Sequence, residues 1–207
     1  MLKDRISYCI YNATKQKDIV PCIEKCLDDC YYEDKQKKNI GLSLEDIFEI
    51  TYSIINICEI RNFELKYVFM ELWWSKNPFL NKVGSFLMQK IYDRPHPNNI
   101  LSIVSISKRI KDLETANYFS YNIAQIINKN IKSWKQLIIE LFLHENIWVN
   151  YAAANILLLL AQRHANSTAT IIQIIKKIKF PLDTKTMQKL ETVLENISYH
   201  LNITVLQ

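Results

Sequence analysis

Residues 140–156 read ELFLHENIWVNYAAANI, and residues 71–87 read ELWWSKNPFLNKVGSFL. The two stretches align without a gap at a constant offset of 69 residues. The aligned positions that are identical are Glu71 and Glu140, Leu72 and Leu141, Asn77 and Asn146, and Asn81 and Asn150. Apolar residues recur every three or four positions on both sides of a polar centre, which predicts a helix, a short turn and a second helix in each copy. An internal repeat of this kind indicates a fold built by stacking helix pairs.

The rest of the chain extends this pattern. Half of the 69-residue offset is a plausible length for one repeat, and residues 101–127 supply two helices where a degenerate copy is expected. We therefore predict a single helical-repeat domain over residues 1–207. Its parts are weaker N-terminal helices over 1–60, repeat units at about 62–92, 98–128 and 133–164, and C-terminal capping helices over 167–201.

The composition supports an all-α fold. The chain is 49% hydrophobic and 23% charged, as expected for a folded globular protein, and it contains only 2 glycines and 5 prolines. Turn-rich β folds and nucleotide-binding α/β folds need glycine at positive φ or in phosphate loops. We predict about ten or eleven helices and no sheet.

The second copy resembles a known family. Residues 145–157, ENIWVNYAAANIL, are similar to the second half of a HEAT repeat, in which a polar turn is followed by Val, a pair of alanines and an aliphatic residue. The resemblance is good over about 133–161 and fair over 63–91. HEAT and armadillo repeats usually have Arg after the Val, where this chain has Asn150. The resemblance implies a right-handed α-solenoid and says little about function.

The cysteines are predicted to be core residues. Of the five, Cys22, Cys26 and Cys30 share the i, i+3, i+4, i+7 spacing of an inward helix stripe with the apolar residues around them. Buried cysteine behaves as a small hydrophobe, and no histidine lies nearby. A metal or redox site is the alternative interpretation.

No catalytic motif stands out in the chain. HExxH, GxSxG, CxxC and phosphate-loop motifs are missing from the sequence. The four histidines are His96, His144, His164 and His200. His144 and His164 lie near predicted helix ends, where a cation is favourable. We predict no catalytic residue, no cofactor and no metal.

The sequence also predicts a cytoplasmic protein without membrane contact. Lys3, Asp4 and Arg5 make the N-terminus too charged to begin a secretory signal, and no apolar segment follows. The longest apolar run, residues 156–161, is far shorter than the roughly 20 residues of a membrane helix.

Charge is divided unevenly along the chain. Residues 1–60 have 8 basic and 11 acidic side chains, a net charge of −3, and residues 61–207 have 18 and 10, a net charge of +8. An acidic cluster is the candidate partner-binding site and consists of Glu24, Asp28, Asp29, Glu33 and Asp34. Stacked repeats could also align a basic edge that consists of Lys108, Arg109, Lys111, Lys129, Lys132 and Lys135. The alternative is that these charges only solvate the surface.

The four tryptophans fall into two groups. Trp73 and Trp134 lie on inward stripes and are predicted to be core residues, whereas Trp74 and Trp148 flank turns. An exposed tryptophan can anchor an interface, and the alternative is that both are core residues or partly buried.

Two classes of function follow from these patterns. The first is a non-catalytic protein-binding module with one specific protein partner. It is similar in size and helical character to the helical immunity proteins that inhibit bacterial toxins, so a toxin, for example a nuclease, is the expected partner. The second is nucleic-acid binding, as in HEAT-like alkylpurine DNA glycosylases, although a net charge of +5 is modest for a DNA binder. A scaffold subunit of a larger assembly is a third interpretation.

Overall fold

The structure is a computed structural model that describes residues 2–33, 42–128, 130–163, 167–178 and 181–205. Within these ranges it is all-α, as predicted, with eleven α-helices, a 3-10 turn at Gln16–Asp18 and no strand. The helices are α1 Leu2–Asn12, α2 Ile19–Glu33, α3 Leu44–Arg61, α4 Leu65–Trp74, α5 Pro78–Ile91, α6 Pro97–Ser107, α7 Leu113–Ile127, α8 Ile131–Phe142, α9 Ile147–Arg163, α10 Thr168–Ile175 and α11 Thr184–Val205.

Helix starts follow local signals in the sequence. The hydroxyl of Ser43 accepts the backbone N–H of Asp46 at 3.1 Å, and Asp46 Oδ2 accepts the backbone N–H of Ser43 at 2.8 Å. This capping box satisfies two N–H groups that have no partner within α3. After the proline-rich break the sequence predicts a helix from about Asn99, but α6 begins at Pro97. Proline is well tolerated there because the first helical N–H needs no acceptor.

The chain, predicted as one domain, divides into two compact units, Met1–Ile91 and Tyr92–Gln207. In the first unit α1, α3 and α5 pack side by side in one layer, and α2 and α4 form a second. Polar contacts also join α1 to α3. Lys3 Nζ lies 2.8 Å from Glu49 Oε2, and Ser53 Oγ lies 3.3 Å from Ser7 Oγ.

In the second unit α6, α8 and α10 form one layer, and α7, α9 and α11 form the other. Helix α9 packs against α7, α8 and α11 and is buried nearly all round, as its uniformly apolar sequence predicts. Asn155 Nδ2 of α9 donates to Ser120 Oγ of α7 at 2.6 Å. The core of this unit therefore centres on α9.

The two aligned turns contain the same hydrogen bonds. Asn150 Nδ2 lies 2.9–3.1 Å from three carbonyl oxygens at the end of α8, those of Leu141, Phe142 and His144. Asn81 Nδ2 lies 2.9–3.0 Å from the corresponding carbonyl oxygens at the end of α4, those of Leu72, Trp73 and Ser75. The last carbonyl oxygens of a helix receive no hydrogen bond from a backbone N–H group of the same helix. Each asparagine therefore ties the end of one helix to the start of the next.

Small residues follow each turn at the contact between the paired helices. A Cβ atom added to Gly84 would lie 3.1 Å from the Trp73 backbone nitrogen and 3.2 Å from Leu72 Cβ. Ala153 occupies the aligned position in α9, and both Ala152 and Ala153 are fully buried, as predicted. A side chain at Gly84 would therefore require the neighbouring atoms of α4 to shift by a few tenths of an ångström.

The last helix differs from the prediction. The sequence indicates an apolar seam of Met187, Leu190, Leu194, Ile197 and Leu201. Leu190 and Ile197 are buried, but Leu194 is 46% exposed and Val193 is fully buried. The side chain of Leu201 lies outside the described residues. The seam is displaced because α11 packs along α9 on the face that contains Val193.

The cysteine stripe is only partly buried. Cys26 is buried, whereas Cys22 and Cys30 are half-buried, and Cys22 forms a disulfide with Cys9 that joins α1 to α2. The prediction that Cys22 is simply a core residue is therefore wrong. Cys26, Cys30 and Cys58 are free thiols, and burial raises the pKa of Cys58 to about 11. No group of three metal-ligating side chains occurs in the described ranges.

Candidate functional site

The acidic cluster is partly engaged within the first unit. Glu24 Oε1 accepts a hydrogen bond from the Ser75 hydroxyl at 3.3 Å, and Asp29 Oδ2 lies 3.6 Å from Arg5 Nη2. Asp28 is exposed. The side chain of Glu33 and all of Asp34 lie outside the described residues. Glu24 and Asp29 therefore also serve the fold, and the role of the cluster in binding stays a prediction.

The basic residues predicted to form one edge fall into two groups. Lys108, Arg109 and Lys111 lie on the α6–α7 turn, beside the end of α8, because Asn146 Nδ2 donates to the Ile110 carbonyl at 2.7 Å. The other group, Lys132 and Lys135, lies in the first turns of α8, and Lys135 Nζ donates to Gln173 Oε1 at 2.9 Å. Lys129 is outside the described residues. The length of α8 separates the groups, roughly 15 Å at 1.5 Å per residue.

An open cleft of about 660 Å³ lies beside Lys108 and is lined also by Leu143, His144, Glu145 and Asn146. The backbone N–H of Asn146 donates to His144 Nδ1 at 3.0 Å. Since Nδ1 accepts this bond, neutral His144 has its proton on Nε2. The imidazole thus holds the α8–α9 turn in shape.

We expect the stability of the protein to depend on pH through His144. Burial lowers the pKa of His144, and nearby Lys108 acts in the same direction. The unfolded chain therefore takes up this proton at a higher pH than the folded protein. The free energy of unfolding should fall as the pH drops below about 6.5, and this loss should stop once the pH is below the folded-state pKa.

His144→Ser should remove this pH dependence while preserving the turn. The aligned residue in the first unit is Ser75, whose hydroxyl accepts the N–H of Asn77 at 3.1 Å, so serine can replace the imidazole acceptor. Urea unfolding of both proteins between about pH 8 and about pH 5 measures the difference, and groups common to both cancel. An equal loss of stability in the two proteins would contradict the assignment.

An aromatic groove lies between α3 and α5 in the first unit. It has a volume of about 320 Å³, and its lining includes Phe48, Tyr52 and Ile55 of α3 and Phe86 and Lys90 of α5. The Phe48 and Phe86 rings meet edge to face with centroids 4.6 Å apart. Phe48 is 43% exposed and Tyr52 is 64% exposed. The groove therefore presents aromatic surface to solvent.

Sequence reasoning identified only one of the two apolar stripes on α3. The spacing of Ile47, Ile50, Ile54 and Ile57 predicts an inward stripe on α3, and all four residues are buried. Leu44, Phe48 and Tyr52 follow one another at a spacing of four residues, and all three are exposed. A spacing of four places them on one helix face. The signal for this second stripe in the sequence is a set of apolar residues that do not share the spacing of the buried stripe.

A second pocket combines lysine and aromatic side chains in the second unit. It has a volume of about 290 Å³ and is lined by Leu113, Tyr151, Lys185, Gln188, Lys189 and Thr192, from α7, α9 and α11. Lys185 Nζ lies 4.9 Å from the centroid of the Trp148 ring, and Lys189 Nζ lies 5.4 Å from that of Tyr151. From the sequence, both lysines lie off the seam of α11 and were not candidate site residues.

The tryptophans separate as their spacing predicts. Trp73 and Trp134 are buried core residues, whereas Trp74 is 46% exposed and Trp148 is half-buried. Trp148 contacts Lys185 and the Tyr151 ring, whose centroid is 6.3 Å away. Trp148 thus lies beside the lysine pocket.

Comparison of the chain with family models, with curated proteins and with solved structures finds no match. Across the described ranges, no helix combines the length and apolar character needed to cross a bilayer. The aromatic groove of the first unit and the lysine pocket of the second unit are therefore the features that indicate function.

Proposed function

We propose that the protein is a non-catalytic binding module that recognises one specific protein partner through its first unit. The aromatic groove between α3 and α5 is the observation that carries this proposal. Aromatic side chains are enriched among interface anchors, and a contiguous exposed apolar surface marks an interaction site. Phe48 and Tyr52 stand on a rigid helix and need little ordering to bind, which lowers the entropic cost of association.

The carboxylates of two helices in the first unit indicate the chemistry of the partner. Helices α2 and α3 each contain four acidic residues and one basic residue, so each has a net charge of −3. Helix α2 includes most of the acidic cluster, and Glu45, Asp46, Glu49 and Glu59 provide the carboxylates of α3. Asp46 and Glu49 of α3 pair with Lys3, and Glu59 pairs with Lys90, whereas Asp28 of α2 is exposed in the other layer. A partner with basic side chains would therefore complement the carboxylates of α2, and such complementarity speeds association and selects the partner.

In its specific form, the proposal is a cytosolic inhibitor of the immunity-protein type that neutralises a toxin by capping its active site. A nuclease binds an anionic substrate, so its active site is basic and would complement the carboxylates of α2. A scaffold subunit would use the same groove to hold a permanent neighbour. Nucleic-acid binding would instead depend on Lys108, Arg109, Lys132 and Lys135.

The proposed architecture is a right-handed HEAT-like stacking of helix pairs within each unit. Its support is the pair of layers in each unit and the matching asparagine hydrogen bonds at Asn81 and Asn150. Such a stack presents one layer of parallel helices as a rigid binding surface.

The experiment identifies the partner by cross-linking in the native cell and then measures the affinity of the purified pair. The double variant Phe48→Ser/Tyr52→Ser should weaken the complex by about 2 kcal/mol or more, roughly 30-fold, because it removes both anchors. Leu101→Ser, a control in the second unit at a residue that is 68% exposed, should leave the affinity unchanged. Replacing Asp28 and Asp29 with lysine should slow association and reduce its salt dependence.

Two results would overturn the proposal. One is an unchanged affinity of the identified partner for the groove variant, with the variant folded as judged by circular dichroism. The other is tight binding to duplex DNA at physiological salt that is lost when Lys108, Arg109, Lys132 and Lys135 are replaced by glutamine, since phosphate contacts make such binding steeply salt-dependent.

A further inference from the structure

We propose that the pocket between α7, α9 and α11 binds a small phosphate-bearing anion through the ammonium groups of Lys185 and Lys189. This site is separate from the protein-binding groove, because it lies wholly within the second unit. Residues 92–207 contain 13 basic and 8 acidic side chains, so this unit carries a net charge of +5, the net charge of the whole chain.

The aromatic rings hold the two lysines in place. Lys185 Nζ lies over the Trp148 ring and Lys189 Nζ over the Tyr151 ring, at 4.9 and 5.4 Å from the centroids. A cation over an aromatic face is attracted by the ring quadrupole. Tyr151 is only 9% exposed, so its ring is a fixed support and offers no face on which a base could stack. The ammonium groups are thus positioned before any ligand arrives.

The positions of these lysines are electrostatically unfavourable without a counterion. Lys185 and Lys189 are four residues apart on α11, and like charges at this spacing repel. Lys185 also lies in the first turn of a 22-residue helix, where the macrodipole disfavours a cation. Neither lysine forms an ion pair within the part of the chain that the structure describes.

The carboxylate next to them in the chain caps α11 and does not line the pocket. Asp183 Oδ1 accepts the backbone N–H groups of Lys185 and Thr186 at 3.0 and 3.1 Å, and its Oδ2 accepts the Thr186 hydroxyl. A bound anion would relieve the repulsion between the lysines, so the site favours negative charge.

The lining and the size define the class of ligand. Besides the two ammonium groups, the Gln188 amide can donate hydrogen bonds, and no carboxylate lines the pocket. The Thr192 hydroxyl donates to the Gln188 backbone carbonyl at 3.1 Å and leaves only its lone pairs for a ligand O–H group. A volume of about 290 Å³ lies just below the range for drug-sized ligands, about 300–1,000 Å³, so the pocket suits a small ligand. A phosphate monoester with a small organic group fits these features. Phosphate oxygens accept several charge-assisted hydrogen bonds at once.

The test measures the melting temperature and tryptophan fluorescence of the full chain during titration with inorganic phosphate or glycerol phosphate, with sodium chloride replaced to keep the ionic strength constant. Both probes should raise the melting temperature of the natural protein and change the emission of Trp148, since Lys185 lies on its ring. The emission change should vanish in Trp148→Phe. Lys185→Gln/Lys189→Gln should bind at least about tenfold more weakly, because each charge-assisted bond is worth a factor of that order.

Lys176→Gln/Lys177→Gln is the matched control, since it removes two exposed lysines from the same unit. It should respond to phosphate as the natural protein does. A response of the Lys185→Gln/Lys189→Gln variant equal to that of the control would overturn the proposal, as would the lack of any response to phosphate in the natural protein. A single-stranded oligonucleotide without terminal phosphates that binds more tightly than glycerol phosphate through the same lysines would show an extended nucleic-acid surface instead.

Discussion

Asn150→Asp is expected to destabilise the protein by about 3–5 kcal/mol, because it puts an uncompensated carboxylate at a buried position against three carbonyl oxygens. Asn150 is 7% exposed, and its Nδ2 donates to the carbonyl oxygens of Leu141, Phe142 and His144. Asn150→Ala removes these hydrogen bonds without adding charge and should cost less, about 1–3 kcal/mol. Chemical denaturation of the variants measures both differences.

The pH distinguishes the charge effect from the loss of hydrogen bonds. A carboxyl group surrounded by carbonyl oxygens has a raised pKa in the folded protein, so the deficit of the aspartate variant should shrink as the pH falls through that value. The loss of stability in the alanine variant should not change with pH in this way. Asn98→Asp is the control, since it makes the same change at an exposed position in the first turn of α6, where a carboxylate is favourable. Equal losses at the two positions would refute the capping role of Asn150.

Ala153→Leu is expected to destabilise the protein by about 1–3 kcal/mol, because overpacking a well-packed contact forces side chains or helices to move. Ala153 is fully buried in α9. The aligned residue of the first unit, Gly84, has no room even for a methyl group without a shift of α4 backbone atoms. A lower urea midpoint with an unchanged slope would show that stability, and not the extent of unfolding, has changed.

Gln162→Leu tests whether the destabilisation by Ala153→Leu comes from the buried position or from the leucine side chain itself. It introduces the same side chain on the same helix at an exposed residue, and surface substitutions usually change stability by less than about 0.5 kcal/mol. If the two leucine variants had equal stability, Ala153 would not lie at a close helix contact, and the position of the inner face of α9 would need revision.

The two candidate sites differ in how far the sequence could reveal them. The aromatic stripe of α3 depends only on the spacing of Leu44, Phe48 and Tyr52, which any helix would place on one face. The lysine pocket depends on three helices, because Lys185 and Lys189 acquire their role from Trp148 and Tyr151 of α9. Along the chain these lysines are more than 30 residues from either ring, and no spacing rule relates them.

The asparagine turns show the same limit at the level of single atoms. The alignment of Asn81 with Asn150 marks both residues as equivalent, but the hydrogen bonds depend on where the last carbonyls of α4 and α8 lie. The acidic cluster was predicted from neighbouring positions along the chain. The contacts of Glu24 with Ser75 and of Asp29 with Arg5 depend instead on how other parts of the unit pack against α2.

The sequence by itself determined the helical class and the positions of most helices. It also determined which residues of a helix are buried, as for the stripe from Ile47 to Ile57 on α3 and for Ala152 and Ala153 on α9. These features depend on periodicity within one helix. Tertiary structure decided which face of α11 is buried, that Cys22 joins Cys9 across two helices, and that the basic edge separates into two groups. The physical reason is the distance along the chain between the residues that interact. Helix formation is governed by neighbours three or four residues apart, whereas the packing partners of a face lie tens of residues away and depend on how helices stack.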